Sequence, residues 1–165
     1  MGSRNMAMHR LRRGSGFVFR RALHTYWRFS RGMTLGVRAV VVNAANEVFL
    51  VEHSYVAGWH LPGGGVEPGE TILHGLAREL DEEANVALTA APTLYGLYFN
   101  NAVSRRDHVA LFVVRDFRQE SAPSPGREIV GHGFFALDVL PADTTGGTRR
   151  RLAEVFEGVA ISEWW

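Results

Sequence analysis

The sequence contains no cysteine and no lysine, and its hydrophobic residues never form a long uninterrupted run. The absence of cysteine excludes disulfide frameworks, zinc ribbons, iron–sulfur clusters and thiol nucleophiles. No apolar stretch approaches the roughly 18–20 residues that a membrane-spanning helix requires. Hydrophobic residues make up 46% of the 165 residues and charged residues 21%, which is the balance of a globular chain rather than a disordered one. This length suits a single domain with a sizeable core.

The charged residues are unevenly distributed along the chain. All 18 basic residues are arginines, and nine of them precede Glu47, the first acidic residue. From residue 41 onward the other nine arginines face all 17 acidic residues, so a basic arm precedes an acidic body. We expect no nucleic acid partner for the body, because phosphate contacts need a basic face. The all-arginine basic set points to a GC-rich bacterial genome, which makes the cytoplasm the expected location.

Residues 1–33 form the basic arm. Within it, Phe17–Phe29 places apolar residues on one side at helical spacing and arginines on the other, which predicts a basic amphipathic helix that ends at Gly32. Three roles stay open for this helix. It packs on its own domain or a partner subunit, rests on an anionic membrane surface, or contacts nucleic acid; the first is the commonest fate. The aromatic residues of the arm, with Trp164 and Trp165 at the other end, also suggest a homodimer.

The body, residues 34–165, mixes predicted strands with two predicted helices. Asn43–Asn46 supply turn residues between the first two strands, so we predict that these strands pair as a hairpin. The second helix is expected to be capped by Thr148 and to end at Gly158. Together these elements indicate an α/β or α+β domain with helices covering a sheet. The strands are predicted at residues 35–42, 48–53, 93–100, 108–114 and 133–137, and the helices at 70–84 and 148–157.

The helix predicted at residues 70–84 carries a group of three acids. At about 100° per residue, its apolar residues share one face that must pack on the sheet. Glu79, Glu82 and Glu83 lie along the edge of that face. Side chains at i, i+3 and i+4 are neighbours, so the three carboxylates repel one another. A hard divalent cation such as Mg²⁺ or Mn²⁺ explains this crowding, and ordinary solvated glutamates on an acidic helix are the alternative.

A glycine-rich loop precedes this helix. Its sequence, Pro62-Gly63-Gly64-Gly65, carries no side chain that blocks close approach, so its backbone can reach a phosphate or lend a carbonyl to a metal ion. Arg78 lies beside the acids, where it can pair with Glu70 or balance the local charge when no metal is bound. The combination of loop and acids favours a metal site over solvated glutamates.

These residues resemble the Nudix box, G-x5-E-x7-R-E-U-x-E-E-x-G-U, in which U is a bulky aliphatic residue. Asn85 is the one departure, because it replaces the last glycine. That position is expected to need a left-handed backbone, which Asn tolerates best among the non-glycine residues. The resemblance covers about residues 34–141 and implies a Nudix-type α/β/α sandwich with a mixed β-sheet between helices. The matching positions are Gly64, Glu70, Arg78, Glu79, Leu80, Glu82, Glu83 and Val86.

The resemblance implies an enzyme. Nudix proteins typically use a divalent metal ion to hydrolyse a phosphoanhydride in a nucleoside diphosphate linked to another group, by attack of water on phosphorus. The alternative is a catalytically silent Nudix domain that binds a nucleotide as a sensor or regulator, although such domains usually lack box glutamates that are present here. A third activity, isomerisation of a prenyl diphosphate, needs a reactive cysteine and is excluded. Which nucleoside diphosphate derivative is the substrate is left open.

The resemblance also implies roles for the residues of the box. Gly64, Glu70 and Arg78 take structural roles that brace the loop against the helix. The implied ligands of Mg²⁺ or Mn²⁺ are Glu79, Glu83, Glu82 and the carbonyl of Gly63.

Roles outside the metal site are less fixed by the box. The general base is a box glutamate in some Nudix proteins and an acid from a later loop in others, which leaves Glu82 and Glu128 as candidates. Arg38 on the first strand contacts a substrate phosphate or is an ordinary strand residue. Arg105, in a polar loop, is a second candidate for substrate binding. Three aromatic residues stack on a base or belong to the core: Tyr95, Tyr98 and Phe99.

Overall fold

A computed structural model describes residues 32–123 and 128–165, so the helix predicted at residues 17–29 lies outside the described residues. Within the described ranges, neither helix has the length and apolar character needed to cross a membrane. The helices are α1 (Ile72–Ala84) and α2 (Gly146–Glu157). The strands are β1 (Thr34–Val41), β2 (Val48–His53), β3 (Trp59–His60), β4 (Ala87–Leu88), β5 (Thr93–Phe99), β6 (Asp107–Val114), β7 (Phe117–Arg118) and β8 (Ile129–Phe135).

The strands form two three-stranded sheets and one two-stranded ribbon. The first sheet has the order β1-β6-β5, with β1 parallel and β5 antiparallel to β6. In the second sheet β2 lies between β3 and β8 and is antiparallel to both. The ribbon pairs β4 with β7. Mixed strand directions and two helices give the α+β arrangement that the sequence predicts.

The predicted hairpin between β1 and β2 is wrong. The turn itself is present, because the Asn43 N–H donates to the Glu47 carbonyl at 3.0 Å and an isolated antiparallel bridge joins Val42 to Val48. Beyond this bridge β1 pairs with β6 and β2 pairs with β8. Residues 39–42 are all buried, which is the pattern of a strand covered on both faces. The turn residues therefore predict the tight turn between β1 and β2, but they do not predict which strands β1 and β2 pair with.

The first helix begins two residues later than predicted and ends as predicted. Thr71 is its N-cap, and the Thr71 hydroxyl accepts a hydrogen bond from the His74 N–H at 3.2 Å. After Ala84 the backbone of Asn85 is left-handed, with φ 51° and ψ 39°. This conformation confirms the expectation for the position where the box has glycine. The Asn85 amide also donates to the Ser121 hydroxyl at 2.7 Å, a contact that glycine cannot make.

The second helix is capped by Thr145, so the prediction of Thr148 as its cap is wrong. The Thr148 N–H donates to the Thr145 hydroxyl at 3.3 Å, which places Thr148 inside the first turn. Gly146 and Gly147 make this turn look like a loop in the sequence, because glycine is unfavourable in a helix interior. Gly158 is left-handed at φ 69° and ends the helix as predicted.

The strands that the sequence analysis missed are short. β3, β4 and β7 have two residues each, and such a length carries no periodic pattern. β8 begins at Ile129 instead of residue 133, because it pairs along the whole of β2, from Val48 opposite Phe135 to His53 opposite Ile129.

The C-terminal residues pack against β5 of the same domain. Phe99 and Trp164 form a parallel bridge, and the Trp165 ring meets the Tyr98 ring edge-on with 5.7 Å between centroids. Below them Arg151 is fully buried, and its guanidinium lies 4.1 Å from the centre of the Tyr98 ring. The tail therefore covers an apolar surface of its own chain, and a homodimer stays a prediction.

Candidate active site

The glycine loop is held against the open edge of β1. The Val37 N–H donates to the Gly64 carbonyl at 2.8 Å, and an antiparallel bridge joins Gly36 to Gly65. Gly63 has φ 136°, and a β-carbon there would collide with the Val37 carbonyl. Glycine at 63 is therefore required both by its backbone conformation and by the approach of two main chains. These contacts fix the loop in front of α1.

Glu83 connects α1 to this loop. Its Oε2 accepts a hydrogen bond from the Gly63 N–H at 2.8 Å, and its side chain is only 13% exposed. Burial raises the pKa of Glu83 from 4.5 to about 7. The carboxylates of Glu79 and Glu128 add to this increase in pKa, whereas the Gly63 N–H and Arg38 oppose it. Burial therefore keeps this carboxylate from being fully ionised at neutral pH.

Arg78 holds the other acids of the site. Its Nη1 donates to Glu79 Oε1 at 2.7 Å and to Glu82 Oε2 at 3.3 Å. Its Nε donates to Glu70 Oε1 at 3.1 Å, and this hydrogen bond is the main reason that the pKa of Glu70 is lowered. The Nη2 group reaches the Gly65 carbonyl at 2.9 Å. One guanidinium thus links the loop, the segment before α1 and α1 itself.

Gly64 leaves room for the carboxylate of Glu79. A β-carbon at residue 64 would lie 2.5 Å from the carboxyl carbon and from both carboxyl oxygens of Glu79. No side chain can occupy that position while Glu79 stays where it is. The absence of a side chain at Gly64 is therefore what allows Glu79 to occupy its position.

His53 is part of the site and was missed by the sequence analysis. It lies at the end of β2 and is 5% exposed, and its Nε2 is 3.6 Å from Glu83 Oε1. Neither ring nitrogen has a hydrogen-bond partner among the described residues. Burial lowers the pKa of His53 to about 4, and Arg38 and His60 act in the same direction, so the ring is neutral at pH 7. A lone histidine at a strand end carries no sequence signal of such a role.

Three predicted residues outside the box have different positions. Arg38 reaches the site: its Nη1 donates to the Leu61 carbonyl at 2.9 Å, and its charge lowers the pKa of Glu83. Glu128 is exposed and close enough to raise the same pKa. Arg105 lies in the exposed turn between β5 and β6, and among the described residues it makes no hydrogen bond or ion pair with the box acids.

The aromatic residues of β5 are structural. The Tyr95 hydroxyl donates to the Glu154 carbonyl at 2.6 Å, and the Tyr98 hydroxyl donates to Glu154 Oε2 at 2.8 Å. The Phe99 ring packs against Trp164, with 5.3 Å between centroids. Of the two interpretations that the sequence leaves open for these residues, the structure supports the core.

The box acids suit a hard divalent cation in chemistry, although they are not gathered for one here. No three histidine or acidic side chains of the described residues converge closely enough to hold a metal ion. Arg78 binds Glu79 and Glu82, while Glu83 binds the loop. Glu79 and Glu83 are each 13% exposed, and burial, with the neighbouring carboxylates Glu79 and Glu128, raises the pKa of Glu83, so added positive charge would favour its ionised form. Carboxylate oxygens are the donors that Mg²⁺ and Mn²⁺ prefer, so a divalent cation fits these buried acids.

Comparison with known proteins gives one family and several relatives. A family model described as NUDIX domain matches residues 32–156. The 8-oxo-dGTP diphosphatase of Proteus vulgaris is 31% identical over 97 residues, which are 56% of this chain and 86% of that protein. The RNA pyrophosphohydrolase of Legionella pneumophila strain Corby is 38% identical over 55 residues, 33% of this chain and 31% of that protein. A Bacillus subtilis relative, 39% identical over 64 residues, is matched over 38% of this chain and 43% of its own length.

Solved structures share the fold. The MutT NUDIX hydrolase from Burkholderia pseudomallei has a TM-score of 0.63 and 26% identity, covering 74% of this chain and 97% of that one. An ADP-ribose pyrophosphatase from Streptococcus suis has a TM-score of 0.62 and 24% identity, covering 80% of this chain and 96% of that one. At 24% identity, the likeness to the Streptococcus suis structure shows a shared fold and not a shared activity.

Proposed function

The chain belongs to the Nudix family, whose domain model matches residues 32–156, and from this we propose that it is a metal-dependent phosphoanhydride hydrolase. Its substrate is a nucleoside diphosphate linked to another group, and water attacks a phosphorus atom of the anhydride. One observation carries the proposal. Glu83 is buried with a pKa raised to about 7, and its carboxylate accepts a hydrogen bond from the Gly63 N–H of the glycine loop. An acid kept in so unfavourable a place is typical of a site that works with a cation bound.

Four groups would hold the metal ion: Glu79, Glu82, Glu83 and the Gly63 carbonyl. When bound, Mg²⁺ or Mn²⁺ supplies positive charge that polarises the phosphate and stabilises the charge developing on its oxygens. Arg78 now binds Glu79 and Glu82, so we expect it to keep its bond to Glu70 and to release these two acids as metal binds. Gly64 keeps the space that the Glu79 carboxylate occupies.

The chain's own residues position the substrate and take the proton of water. We propose that Arg38 holds a phosphate oxygen. Its charge acts on Glu83, and its guanidinium is paired with no carboxylate among the described residues. Glu128 is the general base that we favour. Its carboxylate is exposed and accepts no hydrogen bond from a described side chain, whereas Glu82 accepts one from Arg78. As the water oxygen bonds to phosphorus, the bridging P–O bond breaks and the proton passes to this carboxylate.

The names of the relatives support a nucleotide as substrate. Proteins named as 8-oxo-dGTP diphosphatase and RNA pyrophosphohydrolase match parts of this chain. We propose that a nucleoside triphosphate, modified or unmodified, is the first substrate to test. The aligned segments span less than half of the Bacillus and Legionella relatives.

The test is a panel of nucleoside triphosphates, including 8-oxo-dGTP, with dinucleoside polyphosphates, nucleotide sugars and ADP-ribose, assayed with and without Mg²⁺. We expect Mg²⁺-dependent release of a mononucleotide, and a loss of kcat of at least about 100-fold in Glu83→Gln. Hydrolysis in ¹⁸O-labelled water identifies the attacked phosphorus from the product that carries the label. A protein that binds nucleotides but hydrolyses none would instead be the sensor.

A further inference from the structure

Tyr55 is a large exposed residue next to the candidate active site. It lies between β2 and β3, and it is 71% exposed. A single exposed aromatic side chain is ordinary on a protein surface. Whether Tyr55 has a function therefore depends on the residues that surround it.

The ring of Tyr55 packs against the ring of the buried His53. Its centroid lies 5.1 Å from that of the His53 ring, at an interplanar angle of 42°. His53 is 5% exposed and packs in turn against His60, with 5.7 Å between centroids. Tyr55 thus rests on a fixed aromatic base while most of its own surface faces solvent.

The hydroxyl of Tyr55 is within electrostatic reach of the box acids. Partial burial raises the pKa of Tyr55, and the charge of Glu83 is the next largest cause. Glu128 and Glu79 act in the same direction, and Arg38 opposes them. The geometry agrees, because Tyr55 packs on His53, whose Nε2 lies 3.6 Å from Glu83 Oε1, so the ring lies next to the acid cluster. Arg38, the proposed phosphate-binding residue, and Tyr55 therefore both lie within electrostatic reach of Glu83.

The other aromatic residues that the sequence offers for stacking are already engaged. Tyr95 and Tyr98 donate their hydroxyls to Glu154, and Phe99 packs against Trp164. Trp59, on β3, packs edge-on against Phe135.

We propose that Tyr55 is the stacking surface for the nucleobase of the substrate, an inference that rests on the proposed function. A flat ring with one supported side and one open side binds another flat ring by stacking, and it does so for every base. Phosphates held near Arg38 and Glu83 would leave the base of the same nucleotide within reach of Tyr55. The chain would then distinguish nucleotides from base-free phosphoanhydrides through this one side chain.

The first test compares Tyr55→Ala with Tyr55→Phe on two substrates, the preferred nucleoside triphosphate and ribose 5-triphosphate, which has no base. We expect Tyr55→Ala to raise KM for the nucleotide about tenfold, because stacking on one aromatic residue contributes roughly that much to affinity. We expect kcat to change little, and Tyr55→Phe to stay within about twofold of the wild type. Val139→Ala, at a residue that is 67% exposed, is the matched surface control. An equal effect of Tyr55→Ala on both substrates would overturn the proposal.

The second test needs no turnover. 2-Aminopurine riboside 5′-monophosphate has no anhydride, and its fluorescence falls when the base stacks. We expect quenching with the wild type and Tyr55→Phe, and its loss with Tyr55→Ala at the same protein concentration. Retained quenching in Tyr55→Ala contradicts the role of Tyr55. A wild type that quenches but hydrolyses no member of the panel contradicts the proposed function alone, so the two failures are distinguishable. Thermal denaturation checks that each variant is folded.

Discussion

The carboxylate of Glu83 accepts a hydrogen bond from the backbone N–H of Gly63 across 2.8 Å, which joins the last turn of α1 to the glycine loop. Burial of this carboxylate raises the pKa of Glu83 to about 7, and Glu79 adds to the increase, although the Gly63 N–H opposes it. Loop position and acid position therefore depend on each other. The metal-free protein carries an unfavourable charge at this point, which a cation would relieve.

This charge predicts how stability varies with pH when metal is removed. The pKa of Glu83 rises from 4.5 to about 7 on folding, so its contribution to stability is complete below pH 4.5 and is lost as pH rises through 7. Glu83→Gln carries no such charge. In EDTA, we expect the free energy of unfolding of the variant to increase relative to that of the wild type as pH rises from 4.5 through 7. The difference should reach on the order of 3 kcal/mol at pH 8. Urea denaturation at several pH values measures this difference, and parallel pH profiles would contradict it.

Gly64 and Gly65 form a matched pair for testing the loop. A β-carbon at 64 meets the Glu79 carboxylate at 2.5 Å, whereas a β-carbon at 65 meets nothing within 4 Å. We expect Gly64→Ala to displace Glu79 and to lower kcat on the order of 100-fold. Gly65→Ala should stay within about twofold of the wild type, because it adds a methyl group in open space. Steady-state kinetics compares the two, and equal losses would show that the contact with Glu79 is not the cause.

The general base is tested with Glu128→Gln and Glu82→Gln. If Glu128 accepts the proton, its variant should lose at least about 100-fold in kcat and should also lose the acidic limb of the pH–rate profile. Glu82→Gln should instead raise the Mg²⁺ concentration needed for half-maximal activity by about 10–100-fold. If Glu82→Gln lost the acidic limb and Glu128→Gln needed more Mg²⁺, Glu82 would be the base.

Asn85 combines a left-handed backbone with two hydrogen bonds. Its φ is 51°, and its amide donates to the Ser121 hydroxyl at 2.7 Å and to the Ser121 carbonyl at 3.0 Å. Asn85→Ala loses both bonds and places a β-carbon in a strained conformation, so we expect it to destabilise the protein by about 2 kcal/mol. Asn85→Gly also loses the two hydrogen bonds, but glycine adopts the left-handed backbone without strain. We therefore expect it to destabilise the protein by about 1 kcal/mol or less. Thermal denaturation measures both variants, and a lower melting temperature for Asn85→Gly than for Asn85→Ala would refute this account.

Arg151 and Glu154 form a buried ion pair beneath the C-terminal tail. The side chains are 0% and 3% exposed, and Arg151 Nη2 lies 2.6 Å from Glu154 Oε1. Removing one partner leaves a buried charge uncompensated, so Arg151→Ala should destabilise the fold by about 3–5 kcal/mol. Arg150→Ala is the control: Arg150 is exposed and reaches only the surface of the tail, at the Trp165 carbonyl, so we expect a loss of about 1 kcal/mol or less. Comparable losses in urea denaturation would mean that burial of the pair is not decisive.

The features that could be predicted from the sequence are those with a local physical cause. The helical repeat places Glu79, Glu82 and Glu83 on one edge of α1, whatever the helix packs against. The left-handed conformation of Asn85 follows from where that helix ends. The glycine-rich loop is also visible in the sequence, but the contacts with Val37 and Glu79 that require glycine at 63 and 64 are not.

The sequence by itself therefore determined the helix, its acids and the family. Only the tertiary structure decided that β1 pairs with β6 instead of β2, and that the His53 ring lies 3.6 Å from the Glu83 carboxylate. It also decided that Tyr55 and Glu128 lie within electrostatic reach of Glu83. Spacing along a helix is set by the backbone within a few residues, and a sequence shows it directly. Strand partners and the neighbours of a buried carboxylate are chosen by the packing of segments far apart in the chain, which no local pattern records.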